Sequence, residues 1–275
     1  MTNLAGDAWL PTAVAIILLA SVAVVGLRTF GVASPMAPIL ALVRAAVQLA
    51  ILSVVLTGII DSPWWVGLAL AVMFVAAVTT AARRVHASAA QWGALAASMA
   101  AGSVVALVVV FATGAIEFSP RYVLAVGGIW IGNTMTIATL TSRVFTASVR
   151  DHWPEVEAWL SLGARPSQAV RSLARDAART ALIPSLDQTR TTGLVVLPGA
   201  FVGAIFGGAS PLEAGRFQLV VLAGILAAGT LTAVLLLRAI GEVSERPGPP
   251  DGGRTSAKAR HTEAPAPGGG QSKGE

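Results

Sequence analysis

The chain has 275 residues, of which 55% are hydrophobic and only 12% charged, with a net charge of +5. A water-soluble domain carries about 25% charged residues, so this chain lacks the polar surface to fold in water, and no basic domain exists to hold nucleic acid. It contains no cysteine, which excludes a disulfide framework and any thiolate metal centre.

Apolar runs of about 18 or more residues read as membrane helices. Seven are predicted: Pro11–Leu27, Ile39–Ile60, Trp64–Ala82, Ala94–Ala112, Val123–Leu140, Thr191–Gly208 and Phe217–Leu237. The first follows Asp7 and no Lys or Arg, unlike a cleaved signal peptide, so it is predicted to be retained. Pro198 and Gly199 interrupt the sixth as a helix break, leaving open a six-span arrangement with one segment on the surface. The fold class expected is an all-α, multi-pass helical bundle in the cell membrane.

Orientation follows from the basic loops, which stay in the cytoplasm. Arg28, Arg83, Arg84, Arg238 and the arginines between Arg143 and Arg190 lie on one side; Asp7, Asp61, Glu117 and Glu213 mark the other. The N-terminus is therefore expected outside and the C-terminus in the cytoplasm. Residues 1–240 form the membrane domain, with a cytoplasmic segment at about 142–190. The tail 241–275, rich in Gly, Pro, Ser and charge, is expected to be disordered.

No zinc pattern, nucleophile elbow or phosphate-binding loop occurs in the sequence, so no catalytic residue is assigned. No cofactor is assigned to this chain either. Polar residues inside spans are expensive and mark candidate functional positions. Arg44 and Gln48 stand four apart on the second span, and Asn133 sits mid-way along the fifth. Arg44 fits a side chain snorkelling to headgroups; Gln48 and Asn133 fit either helix–helix hydrogen bonds or a pathway. Gly128 with Gly132, and Gly199 with Gly203 and Gly207, have the spacing of close helix packing. Met73, Met99 and Met135 fit core filling better than a soft-metal path.

Between the fifth and sixth spans, Arg171, Arg175 and Arg179 recur every four residues after Pro166. Like charges so spaced oppose each other, so an acidic partner is expected, either anionic lipid or a docked protein. Just before them stands "EAWLSLG", Glu157-Ala158-Trp159 followed by Leu162 and Gly163. It resembles the E-A-A-x-x-x-G loop by which permeases of ATP-binding cassette transporters engage their ATPase.

Five blocks, "VRAAVQL", "GAIEFSPRYVLAVGGIWIGNTM", "LSLGARPSQA", "RDAARTALIPSLDQTRTTGLVVLPG" and "GAIFGGASPLEAGRFQ", resemble the FetB (YbbM-like) permease family in its order. The resemblance implies a homodimeric membrane subunit of an exporter linked to iron efflux and metal stress, driven by two copies of a separate ATPase that binds ATP and Mg. It implies coupling through Glu157, Ala158, Leu162, Gly163, Arg165, Arg171, Arg175 and Arg179, and a substrate pathway through Arg44, Gln48, Asn133, Ser185, Asp187 and Gln188. Asp187 has the alternative of bonding to Arg190. A secondary carrier or a membrane scaffold recruiting a cytosolic partner remain the rival classes. A carrier would want an acidic or histidine relay at midplane depth, and none is visible in the predicted spans.

Overall fold

The computed structural model describes residues 9–59 and 62–248. In chain order the helices are α1 (Trp9–Thr29), α2 (Ala37–Ile59), α3 (Pro63–Arg84), α4 (Ala89–Ala112), α5 (Pro120–Asp151), α6 (Trp153–Ser161), α7 (Pro166–Ala169), α8 (Arg171–Thr191), α9 (Gly199–Phe206) and α10 (Pro211–Ile240). The expected all-α class stands, with no strand among the described residues. Most of the expected tail, 249–275, lies outside them.

Among the described residues, five helices are long and apolar enough to cross a membrane: Leu10–Thr29, Pro63–Arg84, Ala89–Ala112, Pro120–Asp151 and Pro211–Ile240. Thus the first, third, fourth, fifth and seventh expected spans each have a helix. The second corresponds to α2, whose 23 residues also suffice for a hydrocarbon core of about 30 Å.

The chain divides into two units, Met1–Val66 and Gly67–Glu275. In the first, α1 and α2 touch each other, and Leu10, Ile17, Leu19, Val22, Leu40 and Leu49 are exposed. Helices apolar all round are stable only when something apolar surrounds them, which fits a membrane protein.

The second unit is built on α10, which packs against α4, α5, α8 and α9. Sequence chemistry sets the helix starts. Ser119-Pro120 and Ser210-Pro211 open α5 and α10, the serine oxygen accepting the N–H of Tyr122 and Glu213. Proline at the first helical position costs no hydrogen bond, and a serine cap contributes about 1 kcal/mol. Ser88 caps α4 in a reciprocal pair with Gln91. At the opposite end, the Arg143 guanidinium donates to the Arg84 carbonyl at 2.9 Å, satisfying a terminal acceptor of α3.

The central core joins Ala77, Ala81, Leu95, Met99, Ile131, Ala138 and Leu236. Met99 is fully buried, Met135 packs against this cluster, and Met73 lies against Gly128. Beside it, Trp130 is fully buried and its indole N–H donates to the Val221 carbonyl at 3.2 Å. The ring lies on Gly224, where any added Cβ would collide with it. Gly102 similarly admits Ala228 and Thr232, and Gly229 admits Ile137. Of the expected glycine faces, only Gly128 meets a neighbour from another helix; Gly132, Gly199 and Gly203 have open space beside them. Hydroxyls add short cross-ties: Ser103 to Thr134 at 3.4 Å, and Thr232 to the Ser98 carbonyl at 3.3 Å. Replacing Gly224 with Ala is expected to cost about 1–3 kcal/mol by overpacking, read as a lower unfolding temperature in detergent. An unchanged temperature would show that Trp130 is not held there.

The sixth expected span, Thr191–Gly208, is not one helix. It comprises the end of α8, a non-helical stretch from Thr192 to Pro198, and the eight residues of α9. Eight residues rise only about 12 Å, too short to cross. Together α8 and α9 run the length of α10. α8 starts beside Arg238 and Gly241 at the basic end of α10, whereas Ala200, Ala204 and Gly207 line a cavity with Glu117 and Glu213 at the other end.

Candidate functional site

The basic end gathers the segment after α5. His152 ends α5 and Pro154 helps to open α6. Val156 of α6, with Phe145, Val149, Ala169, Val170, Ala177 and Leu237, forms a separate apolar cluster. That cluster fixes α6, α7 and the foot of α8 against the ends of α5 and α10. The outer face of α6 is left bare: Trp159 is 52% and Leu162 82% exposed, and Glu157 and Ala158 are exposed as well. Gly163 then adopts a φ of +86°, a left-handed turn that a side chain strains by about 1–2 kcal/mol. Arg165 follows, exposed, its N–H donating to the Gln168 side chain at 3.0 Å.

Arg171, Arg175 and Arg179 are all exposed on α8. Arg171 and Arg175 face α10 across a cavity of about 530 Å³ that Arg238 also lines. Arg179 is not part of that cavity's lining.

From this foot α8 runs antiparallel to α10. Leu182 reaches the level of Gly229, where an added Cβ would lie 3.6 Å from its Cδ2. Each residue adds about 1.5 Å of rise, so Asp187 lies about 7.5 Å further on. That is level with the middle of the 30-residue α10. Within the segment expected to be cytoplasmic, 142–190, α5 continues through Asp151, α6 and α7 pack at the basic end, and α8 runs alongside α5 and α10.

Three of the expected pathway residues share this stretch of α8. Ser185 is buried, whereas Asp187 and Gln188 are exposed on this chain. Asp187 pairs with Arg190 at 3.7 Å, as its alternative assignment anticipated, yet both side chains remain open, at 59% and 74% exposure. The hydroxyls of Thr189, Thr191 and Thr192 donate to the carbonyls of Ser185, Asp187 and Gln188 at 2.7–2.8 Å, closing the helix end. Pro184 lies inside the helix. It cannot donate to the carbonyl one turn back, which loosens the helix just before the charged pair.

Beyond it the chain leaves the helix but not its hydrogen bonds. Gly193 donates to the Val196 carbonyl at 2.9 Å, and Leu194, Val195 and Val196 all donate to Thr191. Leu194, Val195 and Leu197 are largely exposed. Pro198 precedes α9, which begins at Gly199. At this end a cavity of about 800 Å³ is lined by Glu117, Arg121, Tyr122, Glu213 and Arg216.

Asn133 stands apart, half-buried, its amide donating to the Ile129 carbonyl of its own helix at 2.8 Å. Arg44 and Gln48 lie one turn apart on α2 of the first unit, both exposed. Among the described residues no group of three His, Asp or Glu side chains comes together to hold a metal.

An all-helical chain with five long apolar helices among its described residues is a multi-pass protein of the cell membrane. The chain belongs to the Uncharacterised protein family UPF0014, whose profile matches residues 9–242. It is 32% identical over 200 residues to the UPF0014 membrane protein YjkA of Bacillus subtilis, covering 72% of this chain and 80% of that one. To the Protein ALUMINUM SENSITIVE 3 of Arabidopsis thaliana it is 34% identical over 194 residues, 70% of this chain and 71% of the relative. To the Probable iron export permease protein FetB of Escherichia coli it is 37% identical over 134 residues, 49% and 52% of the two chains. No solved structure matches the chain significantly.

Proposed function

We propose that this chain is the membrane permease subunit of an ATP-binding cassette transporter, driven by a separate ATPase and exporting iron or a related metal species. The observation that carries the coupling is α6. It is a short helix held from beneath by Val156, with Trp159 and Leu162 bare on its outer face and Gly163 turning the chain sharply behind it. A short helix presenting apolar anchors fits a groove on a partner. The positive-inside rule assigns that end to the cytoplasm, where an ATPase binds ATP and magnesium.

The pathway runs along α8. Asp187, Gln188 and Arg190 at mid-depth would be costly against lipid, and the non-helical Thr192–Pro198 stretch needs protein or a water-filled cavity around it. A second copy of this chain meets both needs, with Ser185, Asp187 and Gln188 lining the space between the copies. The cavity near Glu117 and Glu213 is its outer mouth. A metal species recognised as a complex, through hydrogen bonds and shape, requires no cluster of protein ligands. Iron as substrate rests on the printed name of the FetB relative.

Asp187 also supplies the mid-membrane carboxylate that a proton- or sodium-driven carrier needs. The two readings separate when the full chain is purified with tagged ATPases from the same cell and ATP hydrolysis is followed in vesicles with and without ferrous iron. The permease reading expects a stoichiometric ATPase and iron-stimulated turnover. No partner, with transport driven by an ion gradient alone, overturns it in favour of the carrier.

A further inference from the structure

The cavity of about 530 Å³ between the feet of α8 and α10 has a composition that the coupling role leaves unexplained. Arg171 and Arg175 approach it from α8 and Arg238 from α10. None of the three has an ion-pair partner among the described residues. Glu242 also lines the cavity, leaving three positive charges against one negative. The rest of the lining is largely hydrocarbon, from Val170, Ala174, Ala178, Val234 and Leu237. Charge and oil thus share one recess, at the end of α10 where headgroups lie by the positive-inside rule.

We propose that this recess binds the phosphate of an anionic phospholipid, with an acyl chain resting on its apolar floor. Guanidinium groups match phosphate oxygens in a forked geometry, and each arginine near an anionic surface adds attraction. Inorganic phosphate would use the arginines and waste the floor; a neutral lipid would use the floor and leave the cations unmatched. A recess of this size suits one small ligand rather than a docked helix. Arg171 and Arg175 then hold lipid, and the ATPase grip falls to α6. The inference needs only the membrane orientation and stands without the ATPase.

The full-length protein is titrated in neutral detergent with dioleoyl phosphatidylglycerol or dioleoyl phosphatidylcholine, and bound lipid is counted by native mass spectrometry. Phosphatidylglycerol is expected to be retained at least ten-fold better. The double variant Arg175→Gln/Arg238→Gln should abolish that preference, and Arg83→Gln/Arg84→Gln, the same charge change at the end of α3, should leave it intact. Ala174→Phe fills the floor with every charge in place and should also weaken retention. Photoreactive phosphatidylglycerol on the unaltered protein should label peptides of α8 and α10. Equal retention of the two lipids, unaltered retention in the double variant, labelling elsewhere, or displacement by millimolar inorganic phosphate would each overturn the proposal.

Discussion

Changing Leu162 to Asp together with Gly163 to Leu is expected to lower retention of the ATPase at least ten-fold, with membrane insertion unchanged. Leu162 is the more exposed of the two apolar residues on α6's outer face, at 82%. Apolar anchors that enter a partner's pocket commonly account for about 2 kcal/mol each, some thirty-fold in affinity. Gly163 contributes through backbone geometry: its φ of +86° turns the chain from α6 into α7, and a side chain there resists the turn. Neither residue belongs to the apolar cluster around Val156, so the bundle should fold normally. Glu157→Lys, which reverses an exposed charge on the same short helix, should weaken the contact less. The measurement is co-elution of tagged ATPase with each variant, alongside protease protection to verify insertion. If the double variant still retains a stoichiometric ATPase, α6 is not the grip.

How much of this was legible in the sequence depended on whether a feature was local. Long apolar runs name α1, α3, α4, α5 and α10 because burial in lipid demands uniform side chains, and Ser-Pro pairs mark the starts of α5 and α10 by their own chemistry. α8 is not legible in hydropathy, which averages over all faces of a helix. Asp187, Gln188 and Arg190 depress that average, yet α8 needs apolar residues only where it meets α5 and α10. Ala177, Ala181 and Ser185, four apart and all buried, are the stripe that carried this signal.

Close packing was less legible. Gly224 owes its role to a tryptophan ninety-four residues earlier, and no spacing within α10 announces it. The same holds for the reach of Arg143 to the end of α3, which required both helix ends to be placed first. Asp187 was selected from the family blocks, but its depth emerges only from the contact between Leu182 and Gly229.

That depth sets the second large expectation. Asp187→Asn should reduce export at least ten-fold while ATPase retention and insertion persist. The substitution preserves size and removes the charge, leaving Arg190 without its partner at 3.7 Å. A role confined to shaping the helix end would be met by any pair of opposite charges, so the reversed double variant Asp187→Arg/Arg190→Asp separates the alternatives. If the carboxylate takes part in passage, reversal moves it one turn, about 4.5 Å along the same face of α8, and export stays low. If the pair only ties the last turn of α8 together, reversal restores export to near the original level. The readout is metal efflux from loaded vesicles together with metal-stimulated ATP hydrolysis. A pathway residue should depress both while leaving basal hydrolysis intact, because in the proposed arrangement basal turnover depends on the contact at α6, remote along the chain from Asp187. Full export by Asp187→Asn would remove α8 from the pathway and return Gln188 and Thr191 to the role of helix-end hydrogen bonding.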